Sequence, residues 1–150
     1  MTTRFGLIAA VSMVLAGSFA GAASADEIEV KMLNNNGKGK FMLFEPDFIK
    51  AKVGDTIKFV PTNKGHNAEA IPAIWPEGGG EFVGELNKEV VLKIEKPGVY
   101  GIKCKPHYPM GMIALIVAGD ELPNKDQLES YKPAGTAEKR YLELKEQVGK

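Results

Sequence analysis

The sequence predicts a mainly-β protein, a Greek-key β-sandwich with two α-helices appended at its C-terminus. Three observations predict it. Short runs with a hydrophobic period of two recur from Glu27 to Ala118, separated by Gly, Pro and Asn turns. The run Met112–Ala118 is almost wholly apolar and rich in β-branched residues, as in a strand covered on both faces. After Asp120 the apolar period becomes helical.

The first 25 residues stand apart from this pattern. Arg4 supplies a positive start, Leu7–Ala20 is mostly apolar and small without a charge, and Ala23-Ser24-Ala25 fits an A-x-A cleavage motif. These features predict an export signal peptide over residues 1–25, cleaved near Ala25, and a single domain over 26–150. The apolar run is short for a membrane span. No later segment is long and apolar enough to be one.

Ile28, Val30 and Met32 alternate with Glu27, Glu29 and Lys31, which predicts a half-buried strand. Asn34-Asn35-Asn36-Gly37 is a turn cluster. Phe41–Phe44 is a second run, closed by Glu45-Pro46, and Phe48-Ile49 opens a third. Thr56–Val60 alternates again after the turn Val53-Gly54-Asp55 and stops at Pro61. From Thr62 to Leu86 regular patterning disappears, and a loop this long inside a compact domain is usually functional. Strand patterning resumes at Glu89–Ile94, turns at Pro97-Gly98 and continues through Val99–Cys104. Two helices are predicted at about 124–131 and 137–148. Asn124 and Asp126 are caps for the first. Pro133-Ala134-Gly135 breaks it, and Tyr141, Leu142, Leu144 and Val148 give the second an apolar side.

Composition narrows the function. The chain has 19 basic and 19 acidic residues, and Arg4 is the only charge in the leader. A near-neutral remainder argues against a nucleic-acid binder. The single cysteine excludes an internal disulfide, which is notable in an exported chain.

The chemistry gathers in Gly101–Met112. This stretch holds the only cysteine, Cys104, one of the two histidines, His107, and the methionines Met110 and Met112. Two imidazoles and a thiolate in a trigonal arrangement, with a weak axial thioether, form the ligand set of a blue-copper electron-transfer site. The second imidazole has to come from His66, at the start of the long loop. Spacing leaves both Met110 and Met112 open as the axial donor. Taken singly, each residue has an ordinary explanation: a buried thiol, a surface imidazole, core-filling methionines. A c-type haem site needs a second cysteine before the histidine, and a four-thiolate zinc site needs more cysteines still. A Cys/His hydrolase pair would lack an orienting group. The joint placement of all these donors in loops beside strands points to copper.

On these residues the chain resembles the pseudoazurins, small bacterial cupredoxins. The resemblance is carried by Gly65-His66-Asn67, by Lys103-Cys104 with Pro106-His107-Tyr108, and by Met110-Gly111-Met112, and it runs from Ile28 through the C-terminal helices. It implies a cupredoxin-like sandwich, one copper ion cycling between Cu(II) and Cu(I), and a periplasmic one-electron carrier that is not an enzyme. It implies His66, Cys104, His107 and Met112 as ligands; the shorter spacing of amicyanin would select Met110. It implies a supporting role for Asn67, whose backbone N–H faces the cysteine sulfur and whose side chain ties the ligand loops. Pro106, lacking an N–H, adds no further bond there. Met42 is placed near His107, the expected electron exit.

Between Lys96 and Gly119 there are three lysines and no acidic residue. With Lys64 beside His66, Lys103 and Lys105 suggest a basic rim. The resemblance implies partners with acidic patches: a copper nitrite reductase as acceptor, cytochrome c or dehydrogenases as donors, met by a monomer. No nucleic-acid or membrane partner is expected. The competing function is a periplasmic copper-binding or chaperone protein, which would need an exchangeable site. A copper enzyme would need spare histidines for an open or second site.

Overall fold

A computed structural model describes residues 24–150. The expected signal peptide falls outside these residues, apart from its last two positions. Among the described residues no helix is long and apolar enough to cross a membrane. In chain order the elements are β1 (Glu27–Asn35), β2 (Phe41–Glu45), β3 (Phe48–Ala51), β4 (Thr56–Val60), β5 (Glu69–Ala70), β6 (Val90–Lys93), β7 (Gly98–Lys103), a 3-10 turn (Tyr108–Met110), β8 (Ile113–Ala118), α1 (Lys125–Ser130) and α2 (Thr136–Lys145).

The strands form two four-stranded sheets, ordered β2-β1-β4-β6 and β3-β8-β7-β5. Both are mixed. β1 runs parallel to β4, with Lys31 opposite Val60, and β3 runs parallel to β8. β7 and β8 are antiparallel, with Lys103 opposite Ile113. These directions decide where loops emerge. The ends of β1 and β4 leave the first sheet at one rim, and the β7–β8 connection leaves the second.

Alternation sorts side chains between the layers. Val30, Met32, Phe59, Tyr100, Ile102, Cys104, Met112, Ala114 and Ile116 belong to the inter-sheet core. Aromatic rings knit it together. Phe59 meets Phe44 edge-on at 5.7 Å, and Trp75 meets Tyr100 edge-on at 4.8 Å. Truncating a buried ring such as Phe59 to alanine would cost about 3–5 kcal/mol.

The opposite face of the second sheet is also covered. Val99, Ile113 and Leu115 pack with Ile71, Ile74, Leu128, Tyr141 and Leu144. This is why Met112–Ala118 reads as continuously apolar: one side faces the other sheet, and the other side faces the helices and the 71–74 segment. Gly101 permits the close approach of that segment, since a Cβ there would sit 3.1 Å from Cβ of Ile74.

Four expectations need correction. First, the 62–86 stretch is not free of regular structure. β5 pairs with β7, and Glu69 bridges Val83. Two residues are too short to show a period of two. Second, Leu142 does not belong to the buried side of α2. The buried stripe is Ala137, Tyr141 and Leu144, and Leu142 is exposed; the i, i+4, i+7 spacing passes it by. Third, the Asn124 side chain does not cap α1. It turns to β7 instead, accepting from the Val99 N–H at 2.8 Å and donating to the Val99 carbonyl at 2.8 Å. The turn after β1 also begins later than the asparagine cluster suggests, since β1 extends through Asn35.

Candidate metal centre

Two loops meet at one end of the sandwich. The first follows β4 and carries His66. The second joins β7 to β8 and carries Cys104 and His107. Cys104 continues the ladder beyond β7, its N–H donating to the Met112 carbonyl at 3.0 Å. The loop then folds back on the His107 carbonyl, which accepts from Met110 at 3.0 Å and from Met112 at 3.2 Å. Gly111, at φ +89°, makes the reversal that returns the chain to β8.

This folding gathers three donors. Sγ of Cys104 lies 3.6 Å from Nδ1 of His107 and 3.8 Å from Nδ1 of His66, and the two Nδ1 atoms are 3.1 Å apart. The point equidistant from these three corners lies about 2.0 Å from each, which is a metal–imidazole bond length and slightly short of a metal–thiolate one. Cys104 and His66 are fully buried, and His107 is partly exposed. One soft anionic donor and two borderline nitrogens, in a triangle of this size, suit copper.

The surroundings prepare these donors. Nε2 of His66 faces Oδ1 of Asn34 at 2.8 Å, so Nε2 carries the proton and Nδ1 is free to ligate. Burial, and then the nearby His107, push the His66 imidazole below its usual range and keep it neutral. Burial pushes the Cys104 thiol up, against hydrogen bonds from the backbone of Asn67 and His107. A bound cation would offset that burial penalty by favouring the thiolate.

The remaining expected residues occupy different settings. Met112 is fully buried, whereas Met110 is 51 % exposed. Asn67 is buried and joins the loops: its Oδ1 accepts from the Lys105 N–H at 2.8 Å, and its Nδ2 donates to the Gly84 carbonyl at 3.1 Å. Pro106, Lys64 and Lys105 are exposed. Lys103 is not free; its ammonium lies 3.4 Å from Glu69. Met42 is partly buried against the inter-sheet core, and its neighbour Phe41 is the exposed apolar residue at 63 %. Asn34 was legible only as a turn former, because its role depends on the parallel register of β1 and β4.

With the fold and the donor triangle in place, the known relatives fall into line. Residues 30–119 match the family of copper binding proteins described as plastocyanin/azurin. A pseudoazurin of Methylorubrum extorquens is 44% identical over 142 residues, covering 95% of each chain. The chain belongs to the pseudoazurin family. A pseudoazurin of Paracoccus pantotrophus is 41% identical over 134 residues, covering 89% of this chain and 90% of that one. The crystal structure of native pseudoazurin from Hyphomicrobium denitrificans superposes with a TM-score of 0.78 at 45% identity, covering 83% of this chain and 99% of that one. Pseudoazurins are copper electron carriers and not enzymes, and the cofactor expected from the residues, one copper ion, is that of the family.

Proposed function

We propose that this chain is a periplasmic one-electron carrier whose copper is held by His66, Cys104, His107 and Met112. The observation that carries the reading is the Nδ1–Nδ1–Sγ triangle, with edges of 3.1, 3.6 and 3.8 Å. Burial of Met112, whose carbonyl accepts from the Cys104 N–H, against exposure of Met110, supports Met112 as the thioether that would complete the ligand set. Bound copper supplies a one-electron Cu(II)/Cu(I) couple. The residues of the chain do the rest. Cys104 and His66 hold their donors away from water, and Asn67 braces one ligand loop against the other. His107 presents a partly exposed ring edge through which an electron can reach a docked partner.

The docking surface is the rim around His107. Lys64 and Lys105 supply exposed positive charge, Lys103 contributes with its charge shared by Glu69, and Met42 underlies the apolar part. Such a rim suits partners with acidic patches, such as a copper nitrite reductase, a cytochrome c or a dehydrogenase. It steers encounter in a salt-dependent way. The monomer is exported and cleaved after Ala25, which makes the nitrogen of Asp26 an α-ammonium 2.9 Å from the Asp55 carboxylate.

The oxidised copper-loaded protein should be intensely coloured by thiolate-to-copper charge transfer and should bleach on reduction. Cys104→Ser should abolish the band. Met112→Leu should alter the spectrum and Met110→Leu should not. A colourless copper-loaded protein would overturn the assignment. Lys64→Glu with Lys105→Glu should slow electron transfer to an acidic partner, and the deficit should shrink at high salt.

A further inference from the structure

We infer that Tyr131 is a positioning residue for the copper-ligand loop, acting through Tyr108. The inference rests on the copper site proposed above. Tyr108 directly follows His107 and opens the 3-10 turn. Its hydroxyl is hydrogen-bonded to that of Tyr131, at the C-terminal end of α1. Tyr131 is itself immobilised. Its ring packs edge-on against Tyr141 at 5.2 Å and 84°. Tyr141 is 2% exposed, and its hydroxyl donates to the Leu128 carbonyl. Burial, and then the bond to Tyr108, push the Tyr131 phenol far above its usual range, so the hydroxyl stays intact.

The loop is thus gripped at two points by the helical hairpin. At Tyr108 the grip is the hydroxyl pair. At Gly111 it is steric: a Cβ there would lie 3.1 Å from the carbonyl oxygen of Thr136, the first residue of α2. Between these points the His107 carbonyl accepts from Met110 and Met112, and the Tyr108 carbonyl accepts from Gly111. A shift of Tyr108 is therefore passed to His107 and Met112 along the main chain. Electron exchange is fast when ligands keep one geometry in both redox states, and supporting hydrogen bonds hold ligands in place. Tyr131 is the point where α1 reaches the ligand loop through a hydrogen bond.

The test compares copper-loaded Tyr131→Phe, Tyr108→Phe and the double variant with the parent. Each removes a hydroxyl and keeps the ring. The expected result is an altered balance of charge-transfer bands and an electron self-exchange rate slowed by about 10-fold in each single variant. The double variant should be no worse than either single, because one bond is lost in all three. Tyr100→Phe, which removes a phenol bonded to the Lys96 main chain before the start of β7, at the other end of that strand from the loop, should lower stability and leave spectrum and rate unchanged. Parent spectrum and rate in Tyr131→Phe, with a lowered melting temperature, would make the pair merely structural and overturn the inference. A colourless parent would instead remove the copper reading beneath it.

Discussion

Oδ1 of Asn34 lies 2.8 Å from Nε2 of His66, thirty-two residues away in the chain. The contact exists because β1 and β4 run parallel, with Lys31 opposite Val60, so both strands deliver their next residues to one rim. Asn34 is held there by its own N–H, which donates to Oδ1 of Asn63 at 2.9 Å. An amide oxygen can only accept, and this decides which imidazole nitrogen remains for the metal.

Asn34→Ala removes that decision. Copper affinity is expected to fall by about 10- to 100-fold. Competition against a chelator of known affinity checks it. Stability of the copper-free protein should change little, because Asn34 is exposed. Unchanged affinity would mean that the tautomer does not depend on this bond.

Asn67→Ala leaves the Lys105 N–H and the Gly84 carbonyl without their partner. A loss of roughly 2–3 kcal/mol is expected in urea unfolding. The charge-transfer band should also shift, since the lost side-chain bonds brace the backbone N–H of residue 67 that bonds the Cys104 sulfur. A stability loss with no spectral change would confine Asn67 to a packing role.

Asn124→Ala breaks two hydrogen bonds between α1 and β7 at a site 8% exposed. The expected cost is roughly 2–4 kcal/mol, most of it from the stranded Val99 groups. Chemical denaturation measures it. A cost below about 1 kcal/mol would mean that water replaces the amide there.

Asp55 should shape the acid limb of stability. A backbone hydrogen bond from Asp26, then one from Lys52, hold its carboxyl below the usual carboxylate range against the cost of burial. The unfolded chain therefore binds this proton at higher pH than the folded one. Its stabilisation is complete above the ordinary value of about 3.9 and is lost as pH falls through the lower folded value. Asp55→Asn should be less stable than the parent at neutral pH, with the gap closing below about pH 4. A gap independent of pH would assign the effect to geometry alone.

The sandwich was legible because period-two runs with Gly and Pro turns admit little else, and Met112–Ala118 announced its two covered faces. The members of the donor triangle were legible because the chain has one cysteine and two histidines, so few combinations exist. Less visible were β5, too short for a pattern, and the turn of Asn124 away from its helix toward Val99. The pairing of Lys103 with Glu69 was hidden too, since it depends on β5 lying beside β7.

By itself the sequence determined the chemistry of the site: one thiol, two imidazoles, and two thioethers near the second imidazole. It also determined the alternation that sends Cys104 and Met112 into the core. Only the tertiary structure decided which nitrogens face the sulfur, which methionine is buried, and what holds the loops still. Donor identity is a property of single residues. Donor position depends on strand direction and register, which bring Asn34 to His66, and on the helices, which bring Tyr131 to Tyr108. Those contacts span 32 and 23 residues, beyond the reach of any local pattern.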